Sequence, residues 1–151
     1  MRGKVALREF VKRRNGVPLG STGSLTNMLK RSFGANAFDK FWLFWNPIWA
    51  YYLSRYIMRP TSNILPLPLA VVVTFVVSGA LHDLAVLLLT GDNILICTPW
   101  FFVMGIAVVL SKSFKIELSK YSFITRATAN TSFIVFSYLL SQKLLTLIGL
   151  Q

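Results

Sequence analysis

The sequence contains very few residues of the kinds that form covalent cross-links or metal sites. It has one cysteine, Cys97, and one histidine, His82, among 151 residues. A single cysteine excludes an intrachain disulfide, and these two residues cannot complete a Cys/His zinc site within this chain. We therefore expect no metal site and no fold held together by disulfides.

Acidic residues are also scarce. Five Asp and Glu stand against 16 Lys and Arg, a formal net charge of +11, yet only 14% of the residues are charged and 54% are hydrophobic. Typical soluble domains have about 25% charged and about 45–50% apolar residues. In a soluble protein such positive charge would suggest a nucleic-acid partner. The hydropathy, and the lack of any RNA- or DNA-binding motif, instead predict an integral membrane protein that binds no nucleic acid.

Three long apolar runs predict an all-α membrane protein with about three transmembrane helices, at residues 67–89, 94–111 and 129–150. About 20 apolar residues are enough to cross ~30 Å of hydrocarbon. In the second run, Thr98 and Pro99 are expected to be the N-cap and the first helical position.

The basic residues predict the orientation of these spans. Nine of the 16 Lys and Arg lie in residues 1–40, and the connection at 112–126 is basic too, whereas the turn around Gly91 has no basic residue. The positive-inside rule places the N-terminus in the cytoplasm and the Gly91 turn on the opposite side. The basic start is followed by a polar, Gly-rich stretch rather than an apolar core, so we expect no secretory signal.

Residues 1–37 are predicted to form a basic, partly amphipathic region that is cytoplasmic or interfacial, followed by a membrane domain at 38–151. Residues 4–14 fit either a helix lying on an anionic leaflet or a solvated basic tail. Apolar residues at helical spacing predict a helix over 24–33 that ends at Gly34. The Gly/Ser/Thr-rich stretch 16–24 is typical of a turn or hinge.

Residues 38–56 form an aromatic-rich segment. Nine of these nineteen residues are aromatic, and they include three of the four tryptophans. Indole and phenol rings collect at the membrane interface. A full crossing here would move the basic N-terminus outside, so we predict an amphipathic interfacial or re-entrant segment packed near the start of the 67–89 helix.

His82 is the first candidate for chemistry, because an ionisable side chain within a membrane span faces protein or a water-filled cavity. Ser78 lies one turn before it, on the same helical face. Asp83 points about 100° away, so these three residues cannot form a hydrolase triad from this helix alone. From the helix alone, His82 fits a packing or hydrogen-bonding role as well as it fits a base.

Asn46 is the second candidate. It follows an aromatic cluster and precedes a proline, in Phe-Trp-Leu-Phe-Trp-Asn-Pro over residues 41–47. Its amide is suited to hydrogen-bonding a carbonyl group or to capping a helix that starts at Pro47. The capping role requires no function.

Taken together, the two motifs resemble those of the membrane-bound O-acyltransferase family. The order FWxxWNP, a Pro-rich turn and an apolar helix carrying SGxxHD is similar to the family's pattern over about residues 25–89. Asn46 and His82 match its asparagine and histidine, and Asp83 stands where a glutamate is common. The chain looks closest to short bacterial members, which implies a multi-pass protein of the bacterial inner membrane.

This resemblance implies acyl transfer from acyl-CoA, as co-substrate, to a hydroxyl group of a lipid or other membrane-proximal acceptor, with no tightly bound cofactor. His82 would be the general base, Asn46 would position the substrate or its carbonyl, and Trp42, Trp45 and Ser78 would contact substrate. The basic residues Lys30, Arg31 and Lys40 could attract coenzyme A phosphates, although the positive-inside rule explains them as well.

The chain is short for this family, so we expect it to require partners to form a complete reaction chamber. Full members of the family enclose their reaction chamber with several more helices, so we expect further copies or another membrane protein, together with membrane lipids, to complete it. The alternative is a non-catalytic accessory or assembly subunit derived from the same family.

Overall fold

The structure is a computed structural model that describes residues 6–91 and 95–149. Within these ranges all regular structure is helical, which confirms the all-α prediction. The elements are α1 Leu7–Asn15, α2 Ser24–Phe33, α3 Phe38–Phe44, α4 Pro47–Leu53, a π-helical turn Ser54–Met58, α5 Arg59–Ser62, α6 Leu67–Thr90, α7 Cys97–Ser113 and α8 Phe123–Leu147.

The three long helices pack in chain order, with α7 against both α6 and α8. The helices α6 and α7 come close together at Gly79, where an added Cβ would lie 2.7 Å from the carbonyl oxygen of Cys97. On the other side of α7, the indole Nε1 of Trp100 donates a hydrogen bond to the carbonyl oxygen of Ile134 at 3.1 Å. Gly79 therefore permits close packing of α6 against α7, and Trp100 links α7 to α8.

One helix in the described part of the chain, α6, is long and apolar enough to cross a membrane by length and composition. The bounds of α6, Leu67–Thr90, agree with those of the helix predicted at 67–89 to within one residue. The apolar helix α7 is shorter. The predicted starting residue of the second span, residue 94, and the predicted end of the third, residue 150, lie outside the described residues.

The predicted cap of α7 is wrong. The N-cap is Ile96 rather than Thr98, and the helix already starts at Cys97. The reason is a contact from another helix, since the N–H groups of Ile96, Cys97 and Thr98 all donate to the carboxylate of Asp83 in α6. A carboxylate supplied by α6 replaces the local cap that the sequence suggested.

The third long helix, α8, starts at Phe123, earlier than the predicted residue 129. Ser122 caps it, because its Oγ accepts a hydrogen bond from the N–H of Thr125 at 3.2 Å. Arg126 consequently lies in the first turn of α8 rather than in a loop.

The N-terminal region contains the predicted helix at Ser24–Phe33, with Gly34 directly after it. Gly34 has a φ of −78°, so it ends the helix without the left-handed conformation expected there. The predicted turn before α2 is present, with positive φ angles at Gly16, Gly20 and Gly23. Across this turn Asn15 Nδ2 donates to the Ser24 hydroxyl oxygen at 2.7 Å, which ties α1 to α2.

The aromatic segment is not a single helix. It breaks at Trp45 and Asn46 into α3 and α4, each seven residues long. Phe38 and Phe41 of α3 pack with Ala35 and Val108 in the buried core. Trp42 of the same segment meets Phe75 edge to face at 5.0 Å between ring centroids, so the segment packs against the first half of α6, as predicted.

The connection between α2 and α3 lies against the connection between α7 and α8. Asn36 Nδ2 donates to Glu117 Oε1 at 2.6 Å, and the N–H of Leu118 donates to the carbonyl oxygen of Asn36 at 2.7 Å. The sequence predicted that these two regions would lie on the same side, and they meet at one end of the bundle.

Candidate functional site

A cavity of about 380 Å³ lies between the aromatic segment and the long helices. Its walls come from α1, α3, the α3–α4 turn, α4, the π-helical turn, α6 and α7. The lining residues are Arg14, Asp39, Trp42, Leu43, Trp45, Asn46, Trp49, Ala50, Leu53, Ser54, Met58, Val71, Thr74, Phe75, Ser78, His82, Phe101 and Val108.

All five candidate site residues named from the sequence line this cavity: Trp42, Trp45, Asn46, Ser78 and His82. The cavity therefore brings together two motifs on different helices, as the sequence predicted. Their contribution to catalysis stays a prediction.

The imidazole of His82 is held in one tautomer by its own helix. Nδ1 lies 2.6 Å from the carbonyl oxygen of Ser78, and a carbonyl oxygen only accepts hydrogen bonds, so Nδ1 carries the proton. In the neutral ring, Nε2 then has the free lone pair. Among the described residues none hydrogen-bonds Nε2, and the side chain of His82 is exposed. The arrangement presents a proton acceptor at the cavity.

Two aromatic rings lie beside His82. The Trp49 ring meets the imidazole edge to face, with 5.9 Å between the ring centroids. The Phe101 ring is tilted relative to the imidazole, with 5.1 Å between the centroids. Trp49 Nε1 also donates to Ser78 Oγ at 2.9 Å. Trp49 was not among the site residues predicted from the sequence. Its position three residues after Asn46 could have indicated that the two side chains lie close together.

Asn46 caps α4, as one of the two sequence interpretations held. It has a left-handed backbone, with φ +38°, and its Oδ1 accepts a hydrogen bond from the N–H of Trp49 at 3.2 Å. The side-chain Nδ2 donates to no other described residue, so its two hydrogens remain available to a ligand. Capping therefore uses only the oxygen of this amide.

Trp42 and Trp45 also belong to the aromatic core. Trp42 meets Phe75 edge to face at 5.0 Å, and Trp45 stacks on Phe41 at 5.3 Å. The indole Nε1 of Trp42 is buried and has no hydrogen-bond partner in the described part of the chain. Both rings thus hold α3 in place as well as lining the cavity.

Asp83 lies away from the cavity, on the face of α6 that meets α7. Only 8% of it is exposed, and its carboxylate accepts four hydrogen bonds, three from N–H groups and one from the Thr98 hydroxyl at 2.6 Å. The four donors compensate the loss of water around a buried charge. Asp83 therefore joins two helices and, as expected from its direction, forms no triad with His82 and Ser78.

A cation reaches the cavity from α1. Arg14 Nη1 donates to the carbonyl oxygen of Leu43 at 2.8 Å, and the guanidinium lies 4.5 Å above the ring of Phe10. Burial lowers the pKa of Arg14 from its ordinary value. Sequence reasoning missed this residue. The cations suggested for phosphate binding, Lys30, Arg31 and Lys40, do not line the cavity.

No cluster of three or more His, Cys, Asp or Glu side chains suited to a metal ion is found within residues 6–91 and 95–149. In comparisons with known proteins, no family model, curated protein or solved structure matches the chain.

Proposed function

We propose that this protein is a membrane-bound O-acyltransferase, or a subunit of one, that transfers an acyl group from acyl-CoA to a hydroxyl group of a lipid or other membrane-proximal acceptor. The observation that carries the proposal is the shared cavity: the proton-acceptor face of His82 and the free amide hydrogens of Asn46 open into the same largely apolar space.

In the proposed reaction, the acceptor hydroxyl gives its proton to Nε2 of His82 while its oxygen attacks the thioester carbonyl. Asn46 Nδ2 donates a hydrogen bond to the oxyanion that forms. The C–S bond then breaks, and the leaving thiolate takes the proton back from His82. The products are an ester and the free thiol of coenzyme A, and no acyl-enzyme is formed.

Trp49 and Ser78 act as positioning residues in this scheme. The hydrogen bond from the Trp49 indole to the Ser78 hydroxyl joins α4 to α6 beside His82. Because Asn46 begins α4 and His82 lies in α6, this bond fixes the separation of the two proposed catalytic residues. Trp42 and Trp45 contact the substrate from the α3 side.

The proposal includes three membrane spans, α6, α7 and α8, with the N-terminus in the cytoplasm of a bacterium and the aromatic segment interfacial or re-entrant. At 1.5 Å per residue, the 24 residues of α6 extend about 36 Å, the 17 of α7 about 26 Å and the 25 of α8 about 38 Å. These lengths are near or above the ~30 Å of hydrocarbon.

Partners complete the chamber in this proposal. His82 and Asn46 are both exposed, so the cavity of a single chain leaves its reacting groups accessible to water. A second copy or another membrane protein would cover this opening and would keep water from hydrolysing the thioester.

The second candidate function is that of a non-catalytic accessory subunit. The exposure of His82, together with the capping role of Asn46, favours it. In that case the open side of the cavity is an assembly surface, and neither residue touches a substrate.

Product analysis separates these candidates. Membranes from cells with and without the protein are incubated with radiolabelled acyl-CoA, and extracted lipids and free thiol are both measured. Acyltransferase activity predicts a protein-dependent ester that appears in step with released coenzyme A. Identical products and thiol release in both membranes would support the accessory subunit.

A further inference from the structure

The cavity contains a cation that no described carboxylate neutralises. Arg14 forms no ion pair within residues 6–91 and 95–149, and its hydrogen bond to the Leu43 carbonyl oxygen uses one of five N–H donors. The other lining charge, Asp39, lies 3.5 Å from Lys40. Because Lys40 pairs with Asp39, Arg14 is the lining charge left without an ion-pair partner among the described residues, and the part of the cavity beside it is suited to an anion.

The rest of the cavity is suited to an apolar chain. The stretch formed by α4 and the π-helical turn runs antiparallel to α6, because Trp49 of α4 contacts Ser78 while Met58 of the π-helical turn contacts Thr74. Between them a groove extends from His82 toward Val71, about 16 Å along α6 at 1.5 Å per residue. Leu53, Met58 and Val71, all apolar, line the part of the cavity farther from His82.

From these two features we propose that the cavity binds a phosphate-bearing amphiphile with its headgroup at Arg14 and its hydrocarbon chain along the groove. Leu43, whose carbonyl oxygen binds Arg14, lies three residues before Asn46, at most about 11 Å along the chain. A phosphate at Arg14 therefore lies near the polar end of the cavity, where Asn46 and His82 open. A guanidinium binds phosphate through two parallel hydrogen bonds, and it keeps its charge in partly buried sites.

This inference deepens the proposed function and rests on it for the identity of the cavity as the substrate site. It adds a recognition group, Arg14, and a substrate class, a phosphate ester with a hydrocarbon chain. The phosphate belongs either to the lipid acceptor or to the thioester donor. Because binding is measured without turnover, the proposed phosphate site and the proposed acyl transfer are tested independently, and either can fail without the other.

The test is quenching of tryptophan fluorescence by a brominated ligand. The protein is placed in phosphatidylcholine nanodiscs, and omega-bromoundecyl phosphate is compared with omega-bromoundecanol, which lacks the charge. Trp42, Trp45 and Trp49 line the cavity and report binding there. The phosphate should reach half-saturation at a concentration at least about tenfold lower than the alcohol, as expected for hydrogen bonds to a charged group.

Matched variants assign this preference to one side chain. Arg14→Gln should remove the preference for phosphate while leaving quenching by the alcohol unchanged, which also shows that the cavity is intact. Arg14→Lys keeps the charge but not the two parallel hydrogen bonds, so it should retain only part of the preference. Arg13→Gln is the control, because Arg13 is the neighbouring residue, is exposed and pairs with Glu9.

Competition identifies the source of the phosphate. Displacement of the bromoalkyl phosphate by free coenzyme A assigns the site to the donor, and displacement by a short-chain phosphatidic acid assigns it to the lipid acceptor. The inference is overturned if the wild type binds phosphate and alcohol equally, or if Arg14→Gln and Arg13→Gln show the same preference. If binding follows Arg14 but no ester forms in any membrane, the recognition site stands and the acyltransferase function fails.

Discussion

The Asp83 carboxylate accepts two hydrogen bonds from Thr98, one from its N–H at 2.8 Å and one from its hydroxyl at 2.6 Å. Its other oxygen accepts the N–H groups of Ile96 and Cys97 at 3.2 and 2.7 Å. Adjacent polar residues in α6 thus have different roles. Asp83 joins α6 to the start of α7, while His82 points into the cavity.

The contact from Asp83 to α7 predicts a large effect of Asp83→Asn on stability. The asparagine amide places N–H hydrogens against backbone N–H donors, so some of the four hydrogen bonds are lost inside a buried interface. We expect destabilisation of about 1–3 kcal/mol, the range for unsatisfied buried groups. Reversible unfolding in mixed detergent micelles measures it.

Thr98→Val is the matched control for this change. It removes only the hydroxyl donor and leaves three N–H groups on the carboxylate, so we expect a loss of about 1 kcal/mol or less. If Asp83→Asn unfolds at the same denaturant concentration as the wild type, the carboxylate does not hold the two helices together.

Asn46→Asp separates the capping role of Asn46 from its proposed catalytic role. Aspartate is as good an N-cap as asparagine, so the hydrogen bond from the Trp49 N–H and the stability should be retained. It has no amide hydrogens for the oxyanion, and we expect acyl transfer to fall about 10²–10³-fold. Thermal melting and initial rates are compared in one preparation, and a variant with normal stability and normal rate would leave Asn46 as a cap only.

Much of the helical layout follows from local sequence. The periodicity of Leu25, Met28, Leu29 and Phe33 predicts α2 with its correct bounds, and the apolar run at 67–89 predicts α6. The pairing of Asn46 with His82 in one cavity was implied by the resemblance to the membrane-bound O-acyltransferase pattern, since each motif alone also fits a purely structural role.

Contacts between distant segments explain the errors. Nothing near Thr98 indicates that Asp83 will cap α7 from another helix, and nothing near Arg14 indicates that it will reach Leu43, 29 residues along the chain. The early start of α8 had a local signal, the Ser122 cap, but the charge on Arg126 argued for a loop. The π-helical turn packs against α6, and the sequence analysis did not predict it.

Membrane topology is tested by labelling introduced cysteines in a Cys97→Ala background. Because Asn36 meets Glu117, we expect Thr22→Cys and Lys120→Cys to react with a membrane-impermeant maleimide on the same side, and Gly91→Cys on the other. Intact spheroplasts and inverted vesicles give the two sides. Reaction of all three positions from one side would contradict the three-span arrangement.

The most direct measurement is the rate of acyl transfer by His82→Ala, normalised to the amount of protein inserted in the membrane. Leu81→Ala is the control, since Leu81 is the neighbouring residue, is exposed and does not line the cavity. The His82 side chain hydrogen-bonds only within its own helix among the described residues, so its removal should leave abundance unchanged. We predict a rate about 10²–10⁴-fold lower for His82→Ala, as for loss of a general base, and a normal rate for Leu81→Ala. A normal rate for His82→Ala, or a rate that falls only in step with abundance, would contradict the assignment of His82 as the base.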